Sequence, residues 1–360
     1  MIRIAQPIIG DGEKKAVLDV LNSGMIVQGS KVKELEEKFA LLCRTKHAVA
    51  VSNGTAALHA AVCSVGVKPG DEVITTPFTF VATANSIQMA GARVVFADVN
   101  EETFTIDPVD VDRKINARTT AIMPVDLYGL PADYASLKRI AKSDLRIIAD
   151  ACQAVGADHH GERVGSLGDV SAFSLYATKN IMCGEGGMVT TNSDAVADFI
   201  RKFRHHGQHP DKQYNYEMLG YNYRLTDLQA AIAIEQLKHF DDWTARRREN
   251  AALMTELLSG VHGITLPVVP HGLSHVFHQY TIRVASGRDK LAEFLTSKGV
   301  GCKVFYPMPL HHVRHLAGRG DFPVAEKLCT QVLSLPIHPL VTSADVEYIA
   351  KMVKEGMKYI

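Results

Sequence analysis

Paired cysteines and long apolar runs are both missing from this sequence of 360 residues. The six cysteines, at positions 43, 63, 152, 183, 302 and 329, form no C-x-x-C pair, so neither a zinc knuckle nor a disulfide framework is expected. No segment approaches the ~18 consecutive apolar residues of a membrane span, and the first residues show no cleavable leader pattern. We therefore expect a cytoplasmic protein with no membrane partner.

An excess of either charge is also absent, since 39 basic residues balance 39 acidic ones. A nucleic-acid partner is not expected, because no basic surplus exists to neutralise phosphates. The one basic run, Arg246–Arg248, is interpreted as a solvated helix face. The sequence contains no G-x-x-x-x-G-K-[ST] and no G-x-G-x-x-G between a strand and a helix, so nucleotide-binding loops of those two kinds are unsupported.

Apolar runs and amphipathic segments alternate over most of the chain. Strands are predicted at 47–51, 73–75, 94–96, 121–125, 145–149, 170–175, 188–191, 277–284 and 301–306. A single helix is predicted from Thr226 to about Leu258, and Ser30 is predicted to cap an earlier helix. The alternation is typical of an α/β fold with a mostly parallel sheet between helices. We predict a large domain at 1–240, with its N-terminal helices (10–42) packing near a smaller C-terminal α+β domain at 241–360.

An acid and a lysine stand at the ends of two of these strands. Asp150 follows the apolar run 145–149, at the carboxyl end of a strand, where open α/β sheets bind ligands. Lys179 follows the strand at 170–175 in the same way. The pair could be a simple ion pair, or it could bind pyridoxal phosphate (PLP). In a PLP site a lysine forms a Schiff base with the aldehyde, and an acid partners the pyridinium nitrogen. The lysine must lose its proton to react, which burial favours by lowering its pKa.

A small-residue turn, Ser52–Ala56, joins the first predicted strand to a helix. Alone, it indicates an ordinary helix cap. Together with Lys179 it favours a phosphate site, because free N–H groups at the positive end of a helix suit a dianion. The predicted phosphate-binding residues of this turn are Gly54, Thr55 and Ala56.

These blocks together resemble the DegT family of nucleotide-sugar aminotransferases, which are fold-type-I PLP enzymes. The resemblance is carried by Asp150-Ala-Cys-Gln153, Gly165-Ser-Leu-Gly-Asp169, Ser174, Thr178-Lys179-Asn180 and Gly184-Glu-Gly-Gly187 followed by Val189-Thr-Thr-Asn192, and it extends over nearly the whole chain. It implies a seven-stranded sheet, PLP as the cofactor and a homodimer whose active site is shared between chains.

The resemblance also implies individual roles. Lys179 and Asp150 are the expected catalytic residues, and Gln153 is expected to bond the phenolic oxygen of the cofactor. Ser174 would bind its phosphate, together with Asn222 from the neighbouring subunit. Phe80 is expected to stack on the ring, although an aromatic residue there is otherwise usually part of the core. Two residues of the C-terminal domain are expected to touch substrate, Tyr306 and His311.

The expected reaction is amino transfer from L-glutamate to a nucleotide-linked keto sugar by a ping-pong mechanism. The segment Thr178–Gly187 looks more like family members that aminate C4 than like those that aminate C3, which favours a 4-keto-6-deoxy sugar. Alternatives are a 3-keto sugar, a cyclitol, PLP-dependent dehydration or a non-catalytic regulatory role. Lys179 argues against dehydration, because relatives of that kind carry histidine in its place.

Two groups of histidines suggest metal binding at first sight. His205 and His209 are four residues apart, but Gly207 and Pro210 break the helix that would align them. His311, His312 and His315 form the second group. No metal is expected at either place, and polar loop histidines are the preferred interpretation.

Overall fold

Helices and strands alternate through the computed structural model, which describes residues 1–209, 212–316 and 320–360. The helices of these residues are α1 Asp11–Ser23, α2 Ser30–Cys43, α3 Gly54–Ser64, α4 Ala82–Met89, α5 Pro108–Lys114, α6 Tyr134–Ala141, α7 Asp194–Phe203, α8 Asp227–Lys238, α9 Phe240–Leu258, α10 Arg288–Ser297, α11 Pro323–Gln331 and α12 Ser343–Gly356. The strands are β1 His47–Val51, β2 Glu72–Thr75, β3 Arg93–Phe96, β4 Thr119–Ile122, β5 Arg146–Asp150, β6 Asp158–His159, β7 Glu162–Arg163, β8 Val170–Ser174, β9 Gly187–Thr191, β10 Ile264–Thr265, β11 Leu273–Ser274, β12 Tyr280–Val284 and β13 Val332–Leu335. No helix within these ranges is long and apolar enough to cross a membrane.

The largest sheet has seven strands in the order β1-β9-β8-β5-β4-β2-β3. Strand β9 runs antiparallel to both of its neighbours, and the other neighbouring pairs are parallel. Successive residues of the strands enter different cores: Ile147 and Ala149 belong to one buried cluster, and Ile148 belongs to another. Both faces are therefore covered, as parallel sheets require. The predicted seven-stranded, mostly parallel sheet is confirmed.

The N-terminal helices pack chiefly against α8, within the predicted large domain. Gly29 rather than Ser30 is the N-cap of α2, and no side chain of its own caps that helix. The carboxylate of Asp227, the first residue of α8, instead accepts from the amides of Gly29 at 2.8 Å and Val32 at 2.9 Å. The contact with the C-terminal segment is made by residues that precede α1, where the amide of Ile2 donates to Gly299 O at 2.8 Å. The division into domains at residue 240 stays a prediction.

The single helix predicted from Thr226 to Leu258 is wrong. The structure has two helices, α8 and α9, separated at His239, whose φ of −104° and ψ of 0° are not helical. Ile234 of α8 and Phe240 of α9 both belong to the core of the large sheet, while Met254 and Leu258, later in α9, belong to the C-terminal core. Helix α9 thus passes from one buried cluster to the other along its length.

The strand predicted at 301–306 is also wrong, since only a single bridge, Lys303 to Ser334, forms there. Helix α11 ends at Gln331, and β13 follows at once. Strand β13 pairs antiparallel with β12, which in turn pairs with β10. Packed with α10 and α12, this small sheet gives the predicted α+β character of the C-terminal part.

Candidate active site

Asp150, the last residue of β5, is buried with 4% of its surface exposed. Its Oδ2 accepts a hydrogen bond from Thr83 Oγ1 at 2.7 Å, and its Oδ1 accepts one from the amide of Cys152 at 3.2 Å. Thr79 Oγ1 lies 3.1 Å from Thr83 Oγ1 and extends the network. Hydrogen bonds of this kind favour the ionised carboxylate.

A second buried acid, Asp126, lies beside Asp150 and has a raised pKa. Its amide donates to Asp150 O at 3.0 Å, and its carboxyl oxygens accept from Ala132 N and from the Tyr134 hydroxyl. Burial raises the pKa of Asp126 to about 8. The negative charge of Asp150 adds to this shift, so the two acids are electrostatically coupled at the sheet edge.

Lys179 lies in the loop between β8 and β9. The loop closes on itself, because Leu175 N donates to Gly186 O at 2.8 Å and Ala177 N donates to Gly184 O at 3.0 Å. Burial of the Lys179 amine lowers its pKa, while Cys152 and Asp150 act in the opposite direction. The structure thus brings the lysine and the acid into one site, and burial favours the neutral amine that a nucleophile needs.

The predicted phosphate turn opens α3. A Cβ on Gly54 would lie 2.9 Å from Ser174 Cβ, so only glycine lets the start of α3 pass this close to the end of β8. Asn53 Oδ1 accepts from Ala56 N at 2.8 Å, so the amide of Ala56 is already occupied by the cap. The amides of Gly54 and Thr55 are left as donors at the helix N-terminus, and the phosphate role of Gly54, Thr55 and Ala56 stays a prediction.

Three further predicted residues meet at the other side of the site. Gln153 Oε1 accepts from the amide of Tyr128 at 2.9 Å, and Gln153 Nε2 lies 3.4 Å from the Tyr306 hydroxyl. Burial, together with the charge of Asp150, raises the pKa of the Tyr306 hydroxyl above its ordinary value. The ring of Phe80 is 6.2 Å from that of Tyr306 and remains 55% exposed, so its face is available to a ligand.

Asn222 and His311 lie apart from this group. Asn222 is exposed and forms a bridge with His205, next to Tyr223, whose carbonyl accepts from Ser52 N at 2.8 Å. His311 is buried, and its Nε2 lies 3.0 Å from Glu326 Oε1. The hydrogen-bond partner of His311 is thus Glu326 of α11. The substrate role of His311 stays a prediction.

The histidine groups have ordinary partners where the structure describes them. His205 Nδ1 lies 2.7 Å from Arg224 Nη1, and Pro210 lies outside the described residues. The His312 ring also approaches Glu326, with its Nε2 3.8 Å from Oε1. The ligand atoms of His311, His312 and Glu326 lie within 4.8 Å of one another, so this is the place in the described residues where a metal ion could be tested.

Several residues of the site were not found from the sequence. Thr83 holds Asp150 from inside α4, and Asn180 Oδ1 lies 3.2 Å from His278 Nδ1 beside the lysine. Burial, with the nearby charge of Lys179, lowers the pKa of His278 well below its usual value. Thr83 and His278 belong to no motif, and only the fold brings Thr83 to Asp150 and His278 to the neighbourhood of Lys179. Asn180 adjoins Lys179 in the segment Thr178–Asn180, which carries part of the family resemblance, so its position next to the lysine was a usable signal.

The residues present fit PLP. A buried acid held by hydrogen bonds, a lysine favoured in its neutral form, a glycine turn at a helix N-terminus and an exposed aromatic face are the groups that this cofactor needs. The fit rests on the chemistry of these side chains and on the space that Gly54 leaves at Ser174.

Comparison with known proteins agrees with this fit. The family model of the DegT/DnrJ/EryC1/StrS aminotransferases matches residues 7–354. The chain is 44% identical over 352 residues to a pleiotropic regulatory protein of Geobacillus stearothermophilus, covering 95% of this chain and 94% of the relative. It is 38% identical over 357 residues to GDP-perosamine synthase of Caulobacter vibrioides, covering 97% and 96%. The crystal structure of DesV from S. venezuelae with a ketimine intermediate superposes with a TM-score of 0.92 at 37% identity, covering 95% of this chain and 93% of that one. This chain therefore belongs to the DegT/DnrJ/EryC1/StrS aminotransferase family, whose members include PLP-dependent sugar aminotransferases.

Proposed function

We propose that this protein transfers the amino group of L-glutamate to C4 of a nucleotide-linked 4-keto-6-deoxy sugar. The observation that carries the proposal is the convergence of Asp150, Lys179 and the Gly54 turn in one site. The names of relatives such as GDP-perosamine synthase support a nucleotide sugar as the acceptor. The preference for C4 rests on the segment Thr178–Gly187.

Asp150, Gln153, Ser174 and the amides of Gly54 and Thr55 would hold PLP, with Phe80 against its ring. PLP supplies an electron sink, which stabilises negative charge at the carbon that bears the nitrogen. Lys179 would hold the cofactor covalently at rest. Once released, its Nζ would take a proton from the donor carbon and later return one to the acceptor, because burial favours its neutral form.

The first test is the absorption spectrum of the purified protein with PLP, before and after L-glutamate. We expect a PLP band in the wild type that changes with glutamate, and borohydride reduction should leave PLP on the peptide that contains Lys179. Lys179→Ala should lose both properties, and Lys33→Ala, a solvent-exposed helical lysine, should keep them. A wild type that binds no PLP when it is supplied would end the proposal.

The acceptor is tested separately, with the amine-loaded enzyme and purified keto sugar nucleotides. Formation of a 4-amino sugar from the 4-keto-6-deoxy substrate supports C4 amination. Turnover restricted to 3-keto sugars would show that the position is wrong while the reaction class stands.

We also propose a homodimer in which Asn222 of each subunit completes the phosphate site of its partner. The exposure of Asn222 on a single chain supports this arrangement. Mixing inactive Lys179→Ala with Asn222→Ala subunits should restore part of the activity, because a mixed dimer contains one intact site. Failure of every mixture to recover activity, with exchange of subunits demonstrated, would refute a shared site.

A further inference from the structure

A cleft that is open to solvent lies beside Lys179. Its walls are the N-terminal segment 4–8, the lysine loop at 177–182, the first turns of α9, and residues around His278 and His338. None of the described residues that line it is an aspartate or a glutamate. The N-terminal wall is fixed at both ends, because Arg3 O lies 3.1 Å from His338 Nε2 and Ile8 O accepts from Gln236 Nε2 at 2.9 Å.

Arg247 of α9 is one of the residues that line this cleft. The run Arg246–Arg248 was predicted to be a solvated helix face, but Arg247 is buried with 7% of its surface exposed. Its Nη1 donates to Phe277 O at 3.2 Å, and among the described residues no carboxylate lies within 4.0 Å of it. Burial lowers the pKa of Arg247 to about 10, so the side chain is still charged at neutral pH.

A buried cation without a counter-ion is costly, and buried charges in proteins are usually paired. The groups around Arg247 do not supply the missing anion. His278 and His338 both have pKa values lowered by burial, and both remain neutral. Nε and Nη2 of Arg247, which form one edge of the guanidinium, have no partner among the described residues. Such an edge matches the two oxygens of a carboxylate.

We propose that Arg247 binds a carboxylate of the amino-acid donor in this cleft, beside Lys179. The inference rests on the proposed function, since it assigns the donor's binding residue. It explains why no acid lines the cleft and why an arginine of α9 is kept buried beside it. The alternative anion, a phosphate of the sugar nucleotide, is an outcome of the test.

The experiment compares the wild type with Arg247→Met and Arg247→Lys in the L-glutamate half-reaction. A charge-assisted contact of this kind is worth roughly 10- to 150-fold in affinity, so the half-saturating glutamate concentration should rise by that factor in Arg247→Met. Arg247→Lys should recover only part of it, because lysine lacks the planar fork. Arg248→Met is the matched control, since Arg248 adjoins Arg247 and donates to the neighbouring carbonyl of His275 at 3.0 Å without lining the cleft.

Two measurements separate glutamate binding from other effects. PLP affinity and the KM of the sugar acceptor should be unchanged in Arg247→Met, and glutarate, which cannot react, should bind the PLP-loaded wild type but not the variant in calorimetry. If Arg247→Met does not fold, Arg247→Lys with the same two measurements decides. Equal glutamate saturation in wild type and variant overturns the inference, and a changed acceptor KM alone assigns the cleft to the sugar nucleotide instead. A wild type that binds glutarate through Arg247 but ignores glutamate refutes the proposed donor and leaves the carboxylate site standing.

Discussion

The hydroxyl of Thr83 offers a sharp test of how the acid at the sheet edge is held. Thr83→Val keeps the shape of the side chain and removes the 2.7 Å bond to Asp150 Oδ2, leaving the amide of Cys152 as the other donor. A hydrogen bond to a charged group contributes about 1.5–3 kcal/mol. That loss corresponds to roughly a 10- to 150-fold fall in any rate or affinity that needs the ionised carboxylate. We expect kcat/KM for the glutamate half-reaction to fall within that range.

The controls follow from the same network. Thr83→Ser keeps the donor and should stay close to the wild type. Thr79→Val should have a smaller effect, because Thr79 contacts Thr83 at 3.1 Å and makes no bond to Asp150. Stopped-flow spectra give the rate, and thermal melts show whether the variants are folded. If Thr83→Val reacts as fast as Thr83→Ser, the hydroxyl does not support the acid and the reasoning is refuted.

Three other predictions concern stability. A Cβ on Gly187 would lie 2.3 Å from Asn53 O, so Gly187→Ala should lower the free energy of unfolding by about 1–3 kcal/mol and weaken PLP binding. The control Gly12→Ala should have a mild effect, because its Cβ meets only the flexible end of Glu235. Equal melting curves for the two variants would contradict this prediction. Burial lowers the pKa of Lys179 below 10.5, so the folded apoprotein gains stability as pH rises from the folded pKa towards 10.5. Lys179→Met should melt at a higher temperature at neutral pH, and its free energy of unfolding in denaturant titrations should depend less on pH. The same pH dependence in wild type and variant would count against a buried amine. Burial lowers the pKa of His275 to about 3, so stability should be lost as pH falls from 6.5 to 3, by roughly 1.4 kcal/mol per pH unit. His275→Asn can accept the same hydrogen bond from the amide of Phe277 and should reduce that loss in acid titrations. An identical acid titration for wild type and variant would show that His275 does not cause the loss of stability.

The sheet edge was largely predictable from the sequence. Apolar runs that end in a polar residue place Asp150 at the end of β5, and the structure confirms β1 at residues 47–51 without change. These strands are buried on both sides, so their sequence pattern is strong. The resemblance to a known family added the identities of the polar partners, which periodicity alone does not give.

The remaining features depend on contacts that no local pattern encodes. Nothing in the sequence marks His239 as the break between α8 and α9, because neither glycine nor proline stands there and the apolar spacing continues. Arg247 looks like its solvent-facing neighbours until α9 packs against the loop around Phe277. Strands of two residues, such as β6 and β11, are too short to show a period, and their pairing joins segments more than a hundred residues apart.

The position of β9 has a consequence for how the protein folds. This strand lies between β1 and β8, and it pairs Thr191 with His47 of β1. β1 and β9 are the first and the last strands of the large sheet along the chain. Contacts so distant in sequence form late, because a long loop must close first. Gly187 then meets Asn53, and the lysine loop is drawn against the turn that begins α3. A chain released from synthesis before residue 191 would have β1 without its partner and the two halves of the site apart. We expect PLP binding during refolding to report the docking of β9.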